Sequence, residues 1–183
     1  MKNMVKAGKV VTKVCEVFHW VGTVMLLAAT ICSLAAPAWV KYFVGVTARE
    51  GIGAELNVYG FEILAPVVEG QMDMHAFFLF GVGAVIILAL MAMVFRNLNL
   101  MMKKAEESTP FQPDNVRMCR EIGIFTILVP VVGLVMSTVC RIVLGAVETS
   151  VDLSGIFMGI IVLSLTQFFV YGMQLEKDVD GLL

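Results

Sequence analysis

The chain has 183 residues, 59% of them hydrophobic and 15% charged, with a mean hydropathy of +0.90. Soluble domains carry about a quarter charged residues and about half apolar ones, so this composition excludes an ordinary soluble domain. The length suits one membrane domain over 1–183, and a formal net charge of −2 argues against direct nucleic-acid binding.

A helix needs about 20 apolar residues to cross a hydrocarbon core of about 30 Å. Four stretches pass that test, with apolar cores over 17–39, 77–95, 122–140 and 155–173. They predict transmembrane helices over about 15–40, 75–100, 116–145 and 154–175. Lone polar residues such as Gln167, and the interruption at Pro130, are tolerable where neighbouring helices meet the freed groups. The lysine-rich start, the apolar run and Ala36-Pro37-Ala38 imitate a secretory signal with a small-residue cleavage site. The run exceeds the length of a usual signal core, so a retained helix is expected.

Basic residues orient the chain. Lys2, Lys6, Lys9, Lys13, Arg96, Lys103, Lys104, Arg117, Arg120 and Lys177 fall on one side, against Lys41, Arg49 and Arg141 on the other. By the positive-inside rule the first side is cytoplasmic, which predicts a multi-pass protein of the bacterial inner membrane with both termini inside. The outside then carries Glu50, Glu55, Glu62, Glu69, Asp73, Glu148 and Asp152.

The predicted fold is an all-α integral membrane protein: a four-transmembrane-helix bundle with a small extracytoplasmic cap, including a short β-hairpin between the first and second spans. The outside loop, 41–74, holds Val44 and Val46, then Leu56, Val58 and Tyr59, with glycines at 45, 51, 53 and 60, a pattern of short strands and turns. The second outside connection is short, so the third and fourth spans form an antiparallel hairpin. Asp152 or Ser154 is placed to cap the last helix. The cytoplasmic loop, 101–115, contains Thr109-Pro110-Phe111-Gln112, which has capping-box spacing with proline at the first helical position. Pro113 limits that helix to one turn, and Asp114 or Asn115 starts the lead into the third span. Gly155 and Gly159 permit close helix packing.

The four cysteines, Cys15, Cys32, Cys119 and Cys140, show neither metal-ligand spacing nor a disulfide framework, and read as packed thiols. Ionisable groups near the bilayer are the places to look for function. Glu16 and His19 share a helix face, and Arg120 and Glu121 enter the third span at similar depth. The four are either a proton-sensitive cluster or a structural polar clamp at the interface. Arg141 at the outer end of the third span is expected to form an ion pair with Glu148 or Asp152, with Glu69 and Asp73 as further candidates. Met72, Met74 and His75 carry donors suited to Cu(I). In a chain with 13 methionines such a grouping arises easily, so no metal and no cofactor are expected. There is no phosphate-binding glycine loop with lysine, no His-Glu-x-x-His and no Gly-x-Ser-x-Gly, and a non-enzymatic protein is expected.

The run Glu107-Ser108-Thr109-Pro110-Phe111, followed by Asn115-Val116 and Glu121-Ile122-Gly123, resembles a loop motif of the bacterial membrane-protein family catalogued as domain of unknown function 2975 (DUF2975). The ending, Tyr171-Gly172-Met173-Gln174-Leu175-Glu176 with Asp178 and Asp180-Gly181-Leu182, and Asn97 at the close of the second span, are similar to that family as well. The resemblance implies a four-helix inner-membrane protein, and members are often encoded beside small helix-turn-helix regulators. It supplies no activity. Both motif segments lie on the predicted cytoplasmic face.

The resulting expectation is a regulator or sensor in the lipid bilayer. It would engage a small cytoplasmic DNA-binding partner through Thr109, Pro110, Phe111, Asn115, Gln174, Glu176, Asp178 and Asp180. Against this stand a Phe111 merely tucked into the headgroup zone or the bundle, and an acidic tail that merely pairs with nearby basic residues. The alternative function is a small transport or export component with a path through an oligomeric bundle. A homo-oligomer stays open under both. A strand-bearing first outside loop with a short second one also resembles the layout of claudins, whose paired loop cysteines are missing here.

Overall fold

The computed structural model describes residues 2–44, 53–68, 71–104, 111–145 and 147–180. Among the described residues four helices are long and apolar enough to cross a membrane: α1 (Lys2–Ala35), α3 (Met74–Lys104), α4 (Pro113–Leu144) and α5 (Ser154–Asp180). The chain is a multi-pass membrane protein with a four-helix fold. At 1.5 Å per residue each helix is about 40–50 Å long, so each exceeds the hydrocarbon thickness by two or more turns. The most apolar windows of α3 and α4 are 44% and 39% buried, against 17% and 11% for α1 and α5. The latter two therefore keep most of their apolar side chains outward. Phe18, Phe157, Phe168 and Tyr171 are each more than two-thirds exposed, a costly surface in water and an ordinary one in lipid.

The chain divides into two compact units: Met1–His19 with Leu90–Leu128 and Ser154–Leu183, and Trp20–Ala89 with Val129–Leu153. The second unit holds all the strands among the described residues. Ahead of them, α1 stops at Ala35 and a short α2 (Pro37–Val44) follows. Pro37 has no N–H to offer the preceding turn, yet its fixed φ suits the first position of a new helix. The first connection thus begins as helix.

Strands β1 (Ala54–Val58) and β2 (Phe61–Ala65) form an antiparallel hairpin in which Val58 faces Phe61 and Ala54 faces Ala65. Tyr59 and Gly60 join them, both at positive φ, 48° and 78°. That is the two-residue turn whose twist matches paired strands. The hairpin lies later in the loop than its valines suggested: Val44 ends α2, and Val46 lies outside the described residues. A short pair, β3 (Val67–Val68) and β4 (Gln71–Met72), leads into α3.

The second connection also contributes a strand. Residues of β5 (Thr149–Val151) pair antiparallel with β2, Phe61 opposite Val151 and Ile63 opposite Thr149, giving a three-stranded sheet in the order β1-β2-β5. Two backbone bonds extend the ladder, from Leu64 N–H to the Glu148 carbonyl (2.9 Å) and from Asp152 N–H to the Gly60 carbonyl (2.9 Å). Three strands with one apolar face can persist where an isolated hairpin is marginal.

That face is β2, where Phe61, Ile63 and Ala65 are buried and their neighbours are not. The Phe61 ring stacks on Phe80 of α3 with centroids 5.4 Å apart. Glycines make room for it. A Cβ on Gly83 would lie 3.0 Å from the Phe61 ring, and one on Gly133 would lie 3.4 Å from its Cβ and 3.1 Å from Val151. Nearby, a Cβ on Gly81 would collide with Thr30 of α1. The Thr30 hydroxyl donates to its own helix at the Leu26 carbonyl (2.7 Å) and leaves no unmet polar group at that crossing.

In the first unit, α4 opens at Pro113, not beyond it. The Gln112 carbonyl accepts from the N–H groups of both Asn115 and Val116 (3.0 and 3.1 Å). Pro113 thus occupies the first helical turn, where a missing N–H is harmless. It begins the long helix and does not close a one-turn one. Thr109 and Pro110 lie outside the described residues. Helices α4 and α5 meet backbone to backbone: a Cβ on Gly159 would stand 2.7 Å from the Gly123 carbonyl oxygen, and one on Gly123 would stand 2.7 Å from Leu163. The close contact of α5 is therefore Gly159 with Gly123.

Phe61→Ala should lower unfolding stability in detergent by about 3–5 kcal/mol, the usual loss for emptying a buried aromatic site. Phe157→Ala, at a position 71% exposed, should change it by about 0.5 kcal/mol or less. Equal losses would show that Phe61 does not anchor the sheet.

Candidate functional site

Two asparagines at the end of α3 organise the polar groups of the first unit. In Arg96-Asn97-Leu98-Asn99 they are two positions apart, so they point to different sides of the helix. Asn97, 4% exposed, donates through Nδ2 to Oε2 of Glu121 on α4 at 2.9 Å. Asn99 donates through Nδ2 to Oε2 of Glu16 on α1 at 3.4 Å. Each carboxylate also has a cation on its own helix: Lys13 at 3.1 Å for Glu16, and Arg117 at 3.5 Å for Glu121. Glu16 is only 8% exposed, and a carboxylate there needs this combination of cation and amide.

The residues expected to form one cluster thus acquire separate partners. Glu16 belongs to the Lys13–Asn99 side and Glu121 to the Asn97–Arg117 side. His19 donates from Nδ1 to the Cys15 carbonyl one turn back (2.7 Å), and its ring lies 4.9 Å from that of Phe95. Arg120 is exposed. Sequence reasoning passed over Asn99 and took Asn97 only as part of a resemblance, with no bonding role. Their signal was two amides two positions apart just where a span gives way to charged residues.

Phe111 is the clearest feature of the cytoplasmic-loop motif. It lies just ahead of α4, 39% exposed, and its ring covers Gly172 of α5 so closely that a Cβ there would overlap it. Phe169 stands 6.1 Å away, centroid to centroid, tilted by 55°. Beside this contact is a cavity of about 530 Å³ lined by Phe111, Gln167, Phe168, Tyr171, Gly172 and Leu175. Next to it on α5, Gln174 and Asp178 are exposed and Glu176 is half-buried. Asn115 is buried in the first turn of α4, and Asp114 pairs with Lys104 at the end of α3. Phe111 of the connection motif therefore lies against Gly172 of the tail motif on α5. The Asp180 side chain lies outside the described ones.

In the second unit, Arg141 takes a different partner from the carboxylates expected for it. Its Nε donates to Thr149 Oγ1 (2.9 Å) and its Nη2 to the Thr149 carbonyl (3.3 Å), while Ser137 Oγ lies 2.6 Å from the same hydroxyl. No ion pair of Arg141 with Glu148 or Asp152 occurs among the described residues. The guanidinium fixes β5 to α4 through a threonine. Glu148 lends only its backbone carbonyl to the sheet.

Met72 is buried in the β3–β4 pair, whereas His75 is exposed and Met74 is the first residue of α3. Asp73 explains the His75 backbone: its Oδ1 accepts the His75 N–H (2.9 Å), capping α3. Among the described residues no three His, Cys, Asp or Glu side chains gather to hold a metal. All four cysteines are free thiols.

No protein-family model, curated protein or solved structure matches the chain.

A double-mutant cycle with Asn97→Ala and Glu121→Ala should return a coupling of about 0.5–2 kcal/mol in unfolding stability, as expected for a bridging hydrogen bond between membrane helices. Strictly additive losses would mean that the two side chains do not bond in the folded protein.

Proposed function

We propose that the chain is a non-enzymatic regulator of the bacterial inner membrane, and that it holds a small cytoplasmic helix-turn-helix protein. The surface comprises Thr109, Pro110 and Phe111 of the connection with Gln174, Glu176, Asp178 and Asp180 of the tail; Asn115, expected to belong to it, is buried in α4 and does not. The observation that carries this reading is the seat of Phe111 on Gly172. It sets Phe111, from the loop segment that resembles the DUF2975 family, against Gly172, from the resembling tail segment, beside an apolar cavity.

Topology supports the location. Four crossings put both termini and the connection between α3 and α4 on one side of the membrane. Ten of the thirteen basic residues fall on that side, the pattern of a cytoplasmic face. Charge supports the partner's chemistry. Glu176, Asp178 and Asp180 follow a span directly, where basic residues are the usual choice, and an acidic rim steers a basic protein toward an apolar anchor. An aromatic beside a pocket is the sort of residue that dominates such an interface.

An oligomeric transport component remains the second reading, on one observation. Gln167 is exposed on α5 in the middle of an apolar stretch, where a polar side chain gains by bonding to another helix.

Phe111→Ala should weaken capture of the helix-turn-helix partner about 30-fold, equivalent to an anchor worth about 2 kcal/mol. Asp178→Ala should weaken it by a few-fold, with an effect that fades as salt is raised. Affinity purification from membranes, with thermal stability checked in parallel, reads both. Normal capture by both folded variants would sink the surface.

A further inference from the structure

A second cavity, about 780 Å³, lies between the start of α1 and the end of α3 and is lined by Lys6, Lys9, Val10, Lys13, Val14, Asn99 and Lys103. We infer that this cleft binds the phosphate headgroup of an anionic phospholipid. Lys6, Lys9 and Lys13 follow at intervals of three and four residues, so their ammonium groups emerge from one face of α1. Asn99 and Lys103, four apart, do the same on α3. The helices are close here, since a Cβ on Gly8 would stand 3.3 Å from Met102.

The cleft carries a surplus of positive charge. Lys13 pairs with Glu16, while Lys6 and Lys103 make no ion pair among the described residues. Basic pockets of this kind between membrane helices suit phosphate-bearing headgroups.

Its floor decides for a lipid over a free anion. Val10 and Val14 line the cleft, and Val17 continues their stripe up α1 toward the span. All three are exposed, at 63%, 48% and 49%. A phosphate set among the lysines would have its acyl chains on this stripe, and the lysine stems would lie along the same apolar surface with their charges at the headgroup level. A free phosphate or a nucleotide would have no use for the valines.

The test uses the full chain in detergent, read by native mass spectrometry after adding phosphatidylglycerol or phosphatidylcholine, each with and without excess inorganic phosphate. Phosphatidylglycerol should bind about tenfold more tightly than phosphatidylcholine and should resist phosphate. Lys6→Gln with Lys103→Gln should reduce that binding about tenfold, as expected for two lysines near a headgroup. Val10→Glu, which removes no lysine but sets a carboxylate among them, should give a similar loss. Arg120→Gln with Lys177→Gln removes the same charge outside the cleft and should leave binding unchanged. Equal binding of the two lipids would overturn the inference, as would an equal loss in the control pair. Displacement of the lipid by phosphate would reassign the cleft to a free anion, which also contradicts it.

Discussion

Inside a bilayer a polar group can bond only to protein, and that constraint accounts for how both units are built. Hydroxyls are turned onto their own helices, as Thr30 is toward Leu26 and Thr166 toward Val162. Helix contacts can then be made by small residues and bare backbone. Gly123 meets Gly159 in one unit, and Gly81 meets Thr30 in the other. Glycine is used twice more against the sheet, Gly83 beside the Phe61 ring and Gly133 beside Val151 and the Phe61 Cβ. Phe61 in that notch holds a three-stranded element drawn from both connections. The charged groups of the first unit obey the same constraint: Glu16 and Glu121 are each held by one amide and one cation.

The functional reading follows from what these rules leave over. Burial is concentrated in α3 and α4, and α1 and α5 keep broad apolar faces. On α5 that face ends in a cavity roofed by Phe111 and an acidic tail. On α1 it ends in a basic cleft. The two cavities differ in charge and in lining, so a protein contact and a lipid contact need not compete for the same residues.

The spans were legible because a stretch of about 20 apolar residues without charge has the length and chemistry of a membrane crossing. Boundaries were harder. Pro113 reads as a stop when the preceding Thr109-Pro110 is taken for a helix start, yet proline is equally at home in the first turn of the helix that follows. Strand β5 is three residues, Thr149-Ser150-Val151, with no periodicity to reveal it; only its pairing with β2 makes it a strand. Arg141 was expected to seek a carboxylate because charge is visible in sequence, whereas the hydroxyl and carbonyl of Thr149 come within reach only once β5 is in place. The bonding roles of Asn97 and Asn99 were hidden for the opposite reason. Neutral amides do not stand out in a sequence, although each here bridges to a different helix.

The most direct test of the central claim is photo-crosslinking in living cells from position 175, which lines the same cavity as Phe111, with the captured species identified by mass spectrometry. Capture of a small helix-turn-helix protein, abolished by Phe111→Ala, is the predicted result. Capture of lipid alone or of a second copy of the chain, unaffected by that substitution, would contradict it and leave Phe111 as a packing residue for α5.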